Sequence, residues 1–383
     1  MEPIYLDHAA TTPLRLEVRE AMAPYGSERF GNPSSAHRWG RQARNALEES
    51  RERIAAALGG KRREMVFTGG GTEADNIAVL GRWRSVCGSA PDRAVVCTAI
   101  EHKAVSLAAK QAAAEGAELI VLGVDADGRV DANAIDEAIA ARPCVVSVMW
   151  GNNEVGTLQP VHEIGERCRA SGVVFHTDAV QAMGKVRVRV DEVRCDLLSL
   201  SGHKIGGPKG IGCLYIRDGA DVSPLTHGGG QERLLRPGTE NVAAAVGLAL
   251  AIDLAANEQE EEAARLGALR DALEAGLSER LPDLVVNGGG APRLPHVLNV
   301  TVPGADQEGL LIGLDLEGVA VSGASACQSG SVEPSHVLLA MGRVDPGASI
   351  RMSLGRTTTP AEIDRVLDIF PRVVDRVRIP ARA

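Results

Sequence analysis

This sequence is short of aromatic residues, of lysine and of positive charge. Among 383 residues there are three tryptophans, three tyrosines and four phenylalanines, so aliphatic side chains must fill most of the core. The formal net charge of −9 at pH 7 argues against general affinity for nucleic acids. No apolar run is long enough to span a membrane, and no basic segment followed by an apolar one opens the chain. We therefore expect a cytoplasmic globular protein that binds neither nucleic acid nor membrane.

Several kinds of site are also missing. The seven cysteines are an odd number, and they form neither metal-type pairs nor the framework of a small secreted protein. Reduced thiols and no metal site are expected, which again favours the cytoplasm. The G-x-G-x-x-G fingerprint of dinucleotide-binding enzymes is absent, which disfavours hydride transfer.

The order of helical and apolar segments predicts two domains. From about residue 36 to 216, helical patterns alternate with short apolar runs at Ala94–Thr98, Leu119–Leu122, Cys144–Met149 and Val173–Phe175. This alternation is typical of a largely parallel sheet with helices on both faces. One long helical pattern then covers roughly 241–280. The mixed strands and helices beyond it indicate a smaller α+β domain.

Lys204 is the strongest candidate for a catalytic residue. It lies in a polar, glycine-rich turn between two apolar runs, and the chain has only six lysines. A lysine held at a fixed place can form a Schiff base with an aldehyde cofactor. The alternative is a solvated loop lysine.

Asp178 follows the apolar pair Val173–Val174 and precedes Lys204 by about two dozen residues. An aspartate at a strand end can point into a ligand crevice. Pyridoxal phosphate needs a carboxylate beside its ring nitrogen, because the protonated ring acts as the electron sink. The alternative for Asp178 is a helix N-cap.

A glycine-rich turn at 69–71 joins the apolar run Met65–Phe67 to a helical pattern, with Thr72 at the junction. Glycines let the backbone approach a phosphate, and a helix N-terminus offers free N–H groups to it. A plain glycine turn is the alternative.

Together these pieces, with others along the chain, resemble one family, the cysteine desulfurases, which are pyridoxal phosphate enzymes of aminotransferase fold type I. The resemblance runs nearly end to end. The segments that carry it are Tyr5–Pro13, Gly31–His37, Glu101–Val105, Asn152–Gly156, Ser201–Lys204, Arg236–Asn241, Ser325–Cys327 and Ile350–Arg356.

The resemblance implies the fold and the domain boundaries. It implies an α/β fold of the fold type I aminotransferase kind, in which a large domain has a mainly parallel, seven-stranded-type sheet between helices. The expected boundaries are 16–256 for the large cofactor-binding domain, and 1–15 with 257–383 for a small α+β domain carrying the cysteine loop. It also implies a homodimer.

The resemblance also assigns roles to residues. Lys204 would hold pyridoxal 5′-phosphate and remove the α proton, and Asp178 would face the ring nitrogen. The remaining cofactor residues would be His102 over the ring, Gln181 at the ring oxygen, and Thr72, Ser201 and His203 at the phosphate, with Thr239 reaching over from a second subunit. Asn153 and Arg351 would grip the carboxylate of L-cysteine, since an arginine fork can bind a carboxylate at two places.

Cys327 is the residue that favours a sulfur-transferring enzyme among the pyridoxal phosphate enzymes. It lies among small and polar residues, which favours an accessible loop. The resemblance implies that its thiolate takes the sulfur of L-cysteine as a persulfide, releasing L-alanine. The sulfur would then pass to a protein acceptor, such as an iron–sulfur scaffold or another carrier. The segment from Cys327 to Leu338 resembles the longer loop of the assembly-type desulfurases.

Other interpretations remain open from the sequence. His102 can simply begin a helix, Asn153 can serve a turn, Arg351 can pair with an acid, and Thr239 can cap a helix. Cys327 can be an incidental exposed thiol. The whole chain can be a selenocysteine lyase or an aminotransferase of the same fold, or a non-catalytic scaffold. Gly206, Pro237 and Gln328 are unusual residues for the family at their positions.

Overall fold

The computed structural model describes residues 2–89, 93–323, 335–343 and 347–378. Within them, the largest sheet has seven strands, of which only β8 runs against its neighbours. The predicted α/β class with a mainly parallel seven-stranded sheet is confirmed. From edge to edge, with numbers in chain order, the strands are β2 (Met65–Thr68), β8 (Gly212–Ile216), β7 (Leu197–Ser201), β6 (Phe175–Asp178), β5 (Val145–Ser147), β3 (Ala94–Thr98) and β4 (Glu118–Leu122).

Helices flank this sheet, and their ends follow local chemistry. Helix α2 ends at Gly59, whose φ of +74° is a left-handed conformation that glycine adopts without strain. His102, Asp131 and Asn241 each accept a backbone N–H at the start of a helix. The helices are α1 (Leu16–Met22), α2 (Arg38–Leu58), α3 (Gly71–Asn76), α4 (Arg82–Val86), α5 (Lys103–Ala114), α6 (Ala132–Ala140), α7 (Val161–Ser171), α8 (Val190–Val193) and α9 (Val242–Asn257).

A second group of strands and helices comes from residues 259–377 and from the first strand of the chain. Its antiparallel sheet has the order β12-β13-β10-β9, and the first strand of the chain pairs in parallel with β11. The elements are β1 (Ile4–Tyr5), α10 (Gln259–Arg280), β9 (Val285–Val286), β10 (Val297–Pro303), α11 (Gln307–Leu316), β11 (Val319–Ala320), β12 (Ser322–Gly323), α12 (His336–Ala340), β13 (Gly347–Ser353) and α13 (Pro360–Val377).

The prediction of a single helical segment over 241–280 is wrong, because the helix is interrupted. The structure forms two helices, α9 and α10, which meet at Glu258 and are bent by 70°. Glu258 accepts two hydrogen bonds from the Arg15 guanidinium, of 2.8 and 2.7 Å, and this contact ties the bend to the N-terminal segment. No single helix of the described chain is long and apolar enough to cross a membrane. The bent α9–α10 pair passes that test only when both helices are taken together.

Two large apolar clusters form the interior. One lies around the seven-stranded sheet and includes Phe175 and Leu198. The other lies around the antiparallel sheet and includes Phe370, together with Ile4 and Leu6 from the start of the chain. The boundaries 16–256, and 1–15 with 257–383, stay a prediction.

Candidate active site at the edge of the large sheet

The carboxyl ends of parallel strands meet at one edge of the large sheet, where ligands of open α/β sheets bind. A cavity of about 330 Å³ lies there, within the range typical of ligand pockets. It brings together nine of the eleven residues selected from the sequence. These are Thr72, His102, Asn153, Asp178, Gln181, Ser201, His203, Lys204 and Arg351.

Lys204 ends a short 3₁₀ turn, 202–204, directly after β7. Its Nζ donates to the carbonyl oxygens of Ala9 (2.5 Å) and Ala10 (2.7 Å), which belong to the N-terminal segment. Gly206 closes the turn with a φ of +75°, and a Cβ there would lie 2.5 Å from the Arg15 Cγ. The amine is therefore fixed in the cavity and is not a solvated loop lysine, and a larger residue at position 206 would strain the turn and displace the Arg15 side chain.

Asp178 ends β6 and is buried. Burial raises the pKa of Asp178, while His102, the Val180 N–H and Lys204 oppose that change. The Val180 N–H donates to Asp178 Oδ1 over 2.9 Å, so one carboxylate oxygen is oriented by its own turn. The carboxyl group needs a nearby cation in order to ionise, and a pyridinium nitrogen would supply one.

His102 both begins helix α5 and lines the cavity. Its Nδ1 accepts the Ala104 N–H over 3.1 Å, so Nε2 carries the proton in the neutral ring. Burial lowers the pKa of His102, which favours this neutral form. His102 therefore begins the helix and also lines the cavity, while its role over the cofactor ring stays a prediction.

The phosphate end of the cavity would be the turn at 69–71, where β2 leads into α3. The helical path continues from α3 through 77–81 into α4, so its first N–H groups face the turn. A Cβ on Gly71 would lie 2.7 Å from Val180 Cγ2, and a Cβ on Gly212 would lie 2.6 Å from the Gly70 carbonyl carbon. Glycine is therefore required here for close packing.

Gln181 lies in the cavity wall, but its Nε2 donates to the Ala9 carbonyl over 2.9 Å. The same carbonyl accepts the Lys204 amine. Gln181 and Lys204 are therefore joined through one backbone oxygen of the N-terminal segment.

Asn153 and Arg351 also line the cavity. The Arg351 Nη1 donates to the Asn153 carbonyl oxygen over 3.0 Å, and Nη2 donates to Asp7 Oδ1 over 2.7 Å. The expected turn role falls to Asn152, whose Oδ1 accepts the N–H groups of Glu154 and Val155. Arg351 does pair with an acid, and this pairing orients it in the cavity.

Two further buried acids lie beside Asp178. Burial raises the pKa of Glu101 to about 8, although Thr98 Oγ1 and the Met149 N–H both donate to its Oε1. Asp75 lines the cavity, and its burial, together with Asp178, holds its pKa well above the usual value. Next to Asp75, the ring nitrogens of His176 contact the hydroxyls of Ser147 (2.8 Å) and Ser199 (3.0 Å). Burial therefore favours the neutral, protonated acids at Glu101 and Asp75 and the neutral imidazole at His176.

One predicted site residue of the described chain does not line this cavity. Thr239 is exposed, and the helix that follows it is capped by Asn241, so the capping interpretation of Thr239 is wrong. Cys327 and its neighbour Gln328 lie outside the described residues.

Sequence reasoning missed the contacts that flank the cysteine segment. Ser335 begins helix α12 and donates its hydroxyl to Glu154 Oε2. His336 Nε2 lies 3.0 Å from the Glu101 carbonyl oxygen. Glu154 and Glu101 are the immediate neighbours of Asn153 and His102. The serine directly before the short helix α12 can be recognised in the sequence as a helix cap. Its carboxylate partner, Glu154, cannot be recognised in this way, because it lies 181 residues away.

The residues present fit pyridoxal phosphate. Thr72, Ser201 and His203, with the N–H groups at the start of α3, form a donor set for a phosphate. Asp178 offers a buried carboxyl group that a ring nitrogen could face, and Lys204 offers an amine. These three functions line one cavity of suitable size.

Comparison with known proteins agrees with this geometry. The family model for class-V aminotransferases matches residues 4–366. The cysteine desulfurase IscS of Dictyoglomus turgidum is 44% identical over 377 residues, covering 98% of this chain and 95% of that protein. A solved NifS-like protein superimposes with a TM-score of 0.90 at 34% identity, covering 98% of this chain and all of the other. SspA, solved in complex with cysteine, has a TM-score of 0.78 at 34% identity, covering 92% and 98% of the two chains. This chain belongs to the class-V aminotransferase family and, within it, to the pyridoxal phosphate-dependent cysteine desulfurases.

Proposed function

We propose that this protein converts L-cysteine to L-alanine and receives the released sulfur on Cys327 as a persulfide. The observation that carries the proposal is the meeting of Lys204, Asp178, Asn153 and Arg351 in one cavity. These residues provide an amine base, a counter-charge for a ring nitrogen, and a fork for an amino-acid carboxylate. The cysteine-bound SspA structure shows that a relative with this fold accommodates cysteine.

Bound pyridoxal phosphate supplies an electron sink that makes the substrate's α proton acidic and weakens its Cβ–S bond. Asp178 would face the ring nitrogen with its carboxylate, and Thr72, Ser201 and His203 would hold the phosphate. Lys204 must leave the carbonyls of Ala9 and Ala10 to react, and its amine then moves the α proton. His102 can exchange a proton only at Nε2, because its Nδ1 is engaged by the Ala104 N–H.

Substrate orientation would come from the far end of the cavity. Arg351 has a fork of donors, of which one arm is held by Asp7 and the other by the Asn153 carbonyl. An incoming carboxylate would add to this arrangement, and the Asn153 side chain would donate beside it. Such preset donors cost little reorganisation when the substrate arrives.

Sulfur transfer requires the Cys327 thiolate to attack the substrate sulfur. A new S–S bond forms as the Cβ–S bond breaks, and its electron pair stays on carbon, which takes up a proton to yield L-alanine. The chain on either side of the segment 324–334 supports this role. Gly323 and Ser322, which precede the segment, pair with Ile350 and Arg351 of β13.

Of the described cysteines, five are buried and one, Cys87, is partly exposed. Burial raises the pKa of all five buried thiols; those of Cys97 and Cys168, for example, rise to about 12. Such thiols are poor nucleophiles at neutral pH. Cys87 does not line the cavity, so Cys327 is the favoured sulfur acceptor.

We also propose a homodimer in which Thr239 completes the partner's phosphate site. Residues 33–34 and 230–233 line one cavity, so the segments leading from Phe30 and towards Thr239 lie side by side. Phe30, Trp39 and Leu234 are exposed apolar side chains in these segments. A second copy of the chain would cover them. A Leu234→Glu variant that remains dimeric by sedimentation would argue against this surface.

The segment 230–236 has a fixed backbone that leads towards Thr239. Glu232, Arg233 and Leu234 have φ values of 45°, 57° and 69°, a left-handed turn without glycine that costs about 1–2 kcal/mol per residue. Arg51 holds this turn, because its guanidinium donates twice to the buried Glu232 carboxylate, over 2.8 and 2.7 Å. The path towards Thr239 is thus firmly specified.

Delivery of sulfur to a protein acceptor, for iron–sulfur cluster assembly or another use, is part of this proposal, as is a cytoplasmic location. The free cysteines of the described chain are compatible with a reducing compartment. Incubation of each candidate acceptor with persulfide-loaded enzyme, made with ³⁵S-cysteine, would identify the acceptor by transfer of label.

The experiment that tests the activity is incubation with L-cysteine and a reductant, with alanine and sulfide measured together. Equal amounts of both are expected. Selenocysteine lyase activity would appear as turnover of selenocysteine alone, and aminotransferase activity as pyruvate-type keto acids without sulfide. A non-catalytic scaffold would produce none of these, and purified protein lacking yellow colour would point to it.

A further inference from the structure

A second cavity adjoins the candidate active site, and Lys204 lines both. Its volume is about 210 Å³. Its walls come from three parts of the molecule: the N-terminal segment, the region around the large sheet, and the region around the antiparallel sheet. Apolar side chains form much of the lining, among them Pro13, Leu14, Ile205 and Leu354.

The charged groups around this second cavity do not balance. Arg15 is matched by Glu258 in a two-pronged pair, and Glu262 is matched by Arg265 at 2.8 Å. Lys185 also lines the cavity, but it makes no ion pair with any carboxylate in the described ranges. Burial lowers the pKa of Lys185, and only the more distant Glu262 opposes this. Lys185 is half-buried, and because no carboxylate of the described ranges pairs with its ammonium group, the cavity favours an anion.

Two histidines of the same cavity have unsatisfied ring nitrogens. His8 and His296 are 5% and 2% exposed. Both nitrogens of His8 and the Nδ1 of His296 are buried, and no described atom hydrogen-bonds to them. Burial lowers the pKa of His8 to about 4 and that of His296 well below its usual value, so both rings are neutral and each carries one N–H donor. Buried polar atoms of this kind are normally satisfied by water or by a ligand.

The His8 ring has a slot built for it. A Cβ on Gly355 would lie 2.3 Å from the His8 Cε1, so any larger residue at 355 would displace the ring. The backbone at 355 is itself held, because the Arg265 guanidinium donates to the Gly355 carbonyl over 3.0 Å. The imidazole is therefore placed by the fold and is not a loosely packed side chain.

We propose that this cavity is a second ligand site, which binds a small organic anion consisting of a carboxylate on a short apolar group. Lys185 supplies the positive charge, the neutral imidazoles of His8 and His296 supply N–H donors, and the apolar walls receive the rest of the molecule. A cavity of about 150 Å³ is enough for benzene, so this one admits a benzoate-sized ligand. Because the ligand would contact all three parts of the fold and lie beside Lys204, it would stabilise their assembly and alter the surroundings of the catalytic amine.

The test uses the full-length holoenzyme with benzoate as the probe and benzylamine as the cationic control. Calorimetric titration is expected to show one saturable benzoate site per chain and none for benzylamine. A hundredfold excess over Kd should raise the thermal midpoint by roughly 3 °C. Lys185→Met should weaken benzoate binding at least tenfold, and Lys110→Met, at an exposed position of α5, should leave it unchanged.

Several outcomes would overturn the proposal. One is the absence of saturable benzoate binding by the wild type, and another is undiminished binding by Lys185→Met. A third is loss of binding in Arg351→Lys but not in Lys185→Met, which would place the probe in the substrate site. If Lys185→Met does not fold, Lys185→Gln and His296→Leu replace it. Both should weaken benzoate binding, and undiminished binding by both would contradict the proposal. The proposal does not depend on desulfurase activity, so the two can fail separately.

Discussion

Ser322 and Arg351 lie directly opposite each other in the antiparallel pair of β12 and β13. The strand that leads into the segment containing Cys327 is thus registered against the residue proposed to bind the substrate carboxylate. At its other end, that segment re-enters the described structure at Ser335, which is bonded to the neighbour of Asn153. Both ends of the cysteine segment are therefore fixed beside the substrate-binding end of the cavity.

The Ser335 anchor yields a first prediction. In Ser335→Ala the hydroxyl that donates to Glu154 is lost, together with the cap of α12, which accepts the Val337 and Leu338 N–H groups. Loss of the cap should cost about 1 kcal/mol of stability. The rate of persulfide formation on Cys327, measured by mass spectrometry after rapid quenching, should fall several-fold while the cofactor spectrum stays unchanged. Ser335→Thr, which keeps the hydroxyl, is the matched control. Equal rates in the alanine variant and the wild type would show that this anchor does not position the cysteine.

Arg351 supplies a second prediction. Arg351→Lys keeps the charge but removes the planar fork, so one charged hydrogen bond to the substrate carboxylate is lost. Such a bond contributes about 1.5–3 kcal/mol, so KM for L-cysteine should rise by about tenfold or more. The exposed Arg376→Lys serves as control. Initial rates over a range of L-cysteine concentrations measure the effect, and an unchanged KM would remove Arg351 from the substrate site.

Asp178 gives a third prediction, read from the cofactor itself. In Asp178→Asn no negative charge faces the ring nitrogen, so the protonated ring loses its partner. Alanine formation should fall by at least a hundredfold, since the electron sink is weakened. The pH titration of the cofactor absorbance in the resting enzyme should also shift, which a merely structural change would not produce. Wild-type turnover by the asparagine variant would contradict the assigned role.

Glu101 gives a prediction about stability and pH. Its pKa of about 8 in the folded protein lies above the ordinary 4.5 of a glutamate. Between pH 4.5 and about 8 the folded state holds a proton that the unfolded chain releases, so the free energy of unfolding falls as the pH rises through this range. Glu101→Gln keeps an acceptor for Thr98 and the Met149 N–H but carries no charge. The variant should match the wild type at pH 4 and be more stable by on the order of 4 kcal/mol at pH 8.

Urea unfolding at both pH values measures this difference. Glu137→Gln, at an exposed position of α6, is the control and should show no such change. Parallel stability profiles for Glu101→Gln and the wild type would mean that Glu101 is already ionised in the folded protein.

Much of the site could be predicted because its residues stand at the ends of short apolar runs. The strands that end at Asp178 and Ser201, and the glycine turn before Thr72, are local features that a sequence displays. The break at Glu258 was missed because helical periodicity continues through it, while the contact with Arg15 that marks the bend comes from 243 residues away.

Long-range pairings account for the other omissions. The Asp7–Arg351 and Ser335–Glu154 contacts join residues 344 and 181 positions apart, and neither partner has a local pattern that identifies the other. The buried neutral state of Glu101 and the cavity at Lys185 likewise arise only once three parts of the fold are assembled. The residues of the site could therefore be predicted from the sequence, whereas the long-range contacts that orient their side chains could not.

The most direct measurement is single-turnover reaction of the holoenzyme with L-cysteine, followed by peptide mass spectrometry and alanine quantification. The wild type should carry one extra sulfur, on the peptide containing Cys327, in step with alanine formation. Cys327→Ser should lose both while still binding cofactor, and Cys87→Ser, which removes the partly exposed thiol, should retain both. Full alanine formation by Cys327→Ser, or a persulfide on another cysteine, would contradict the account.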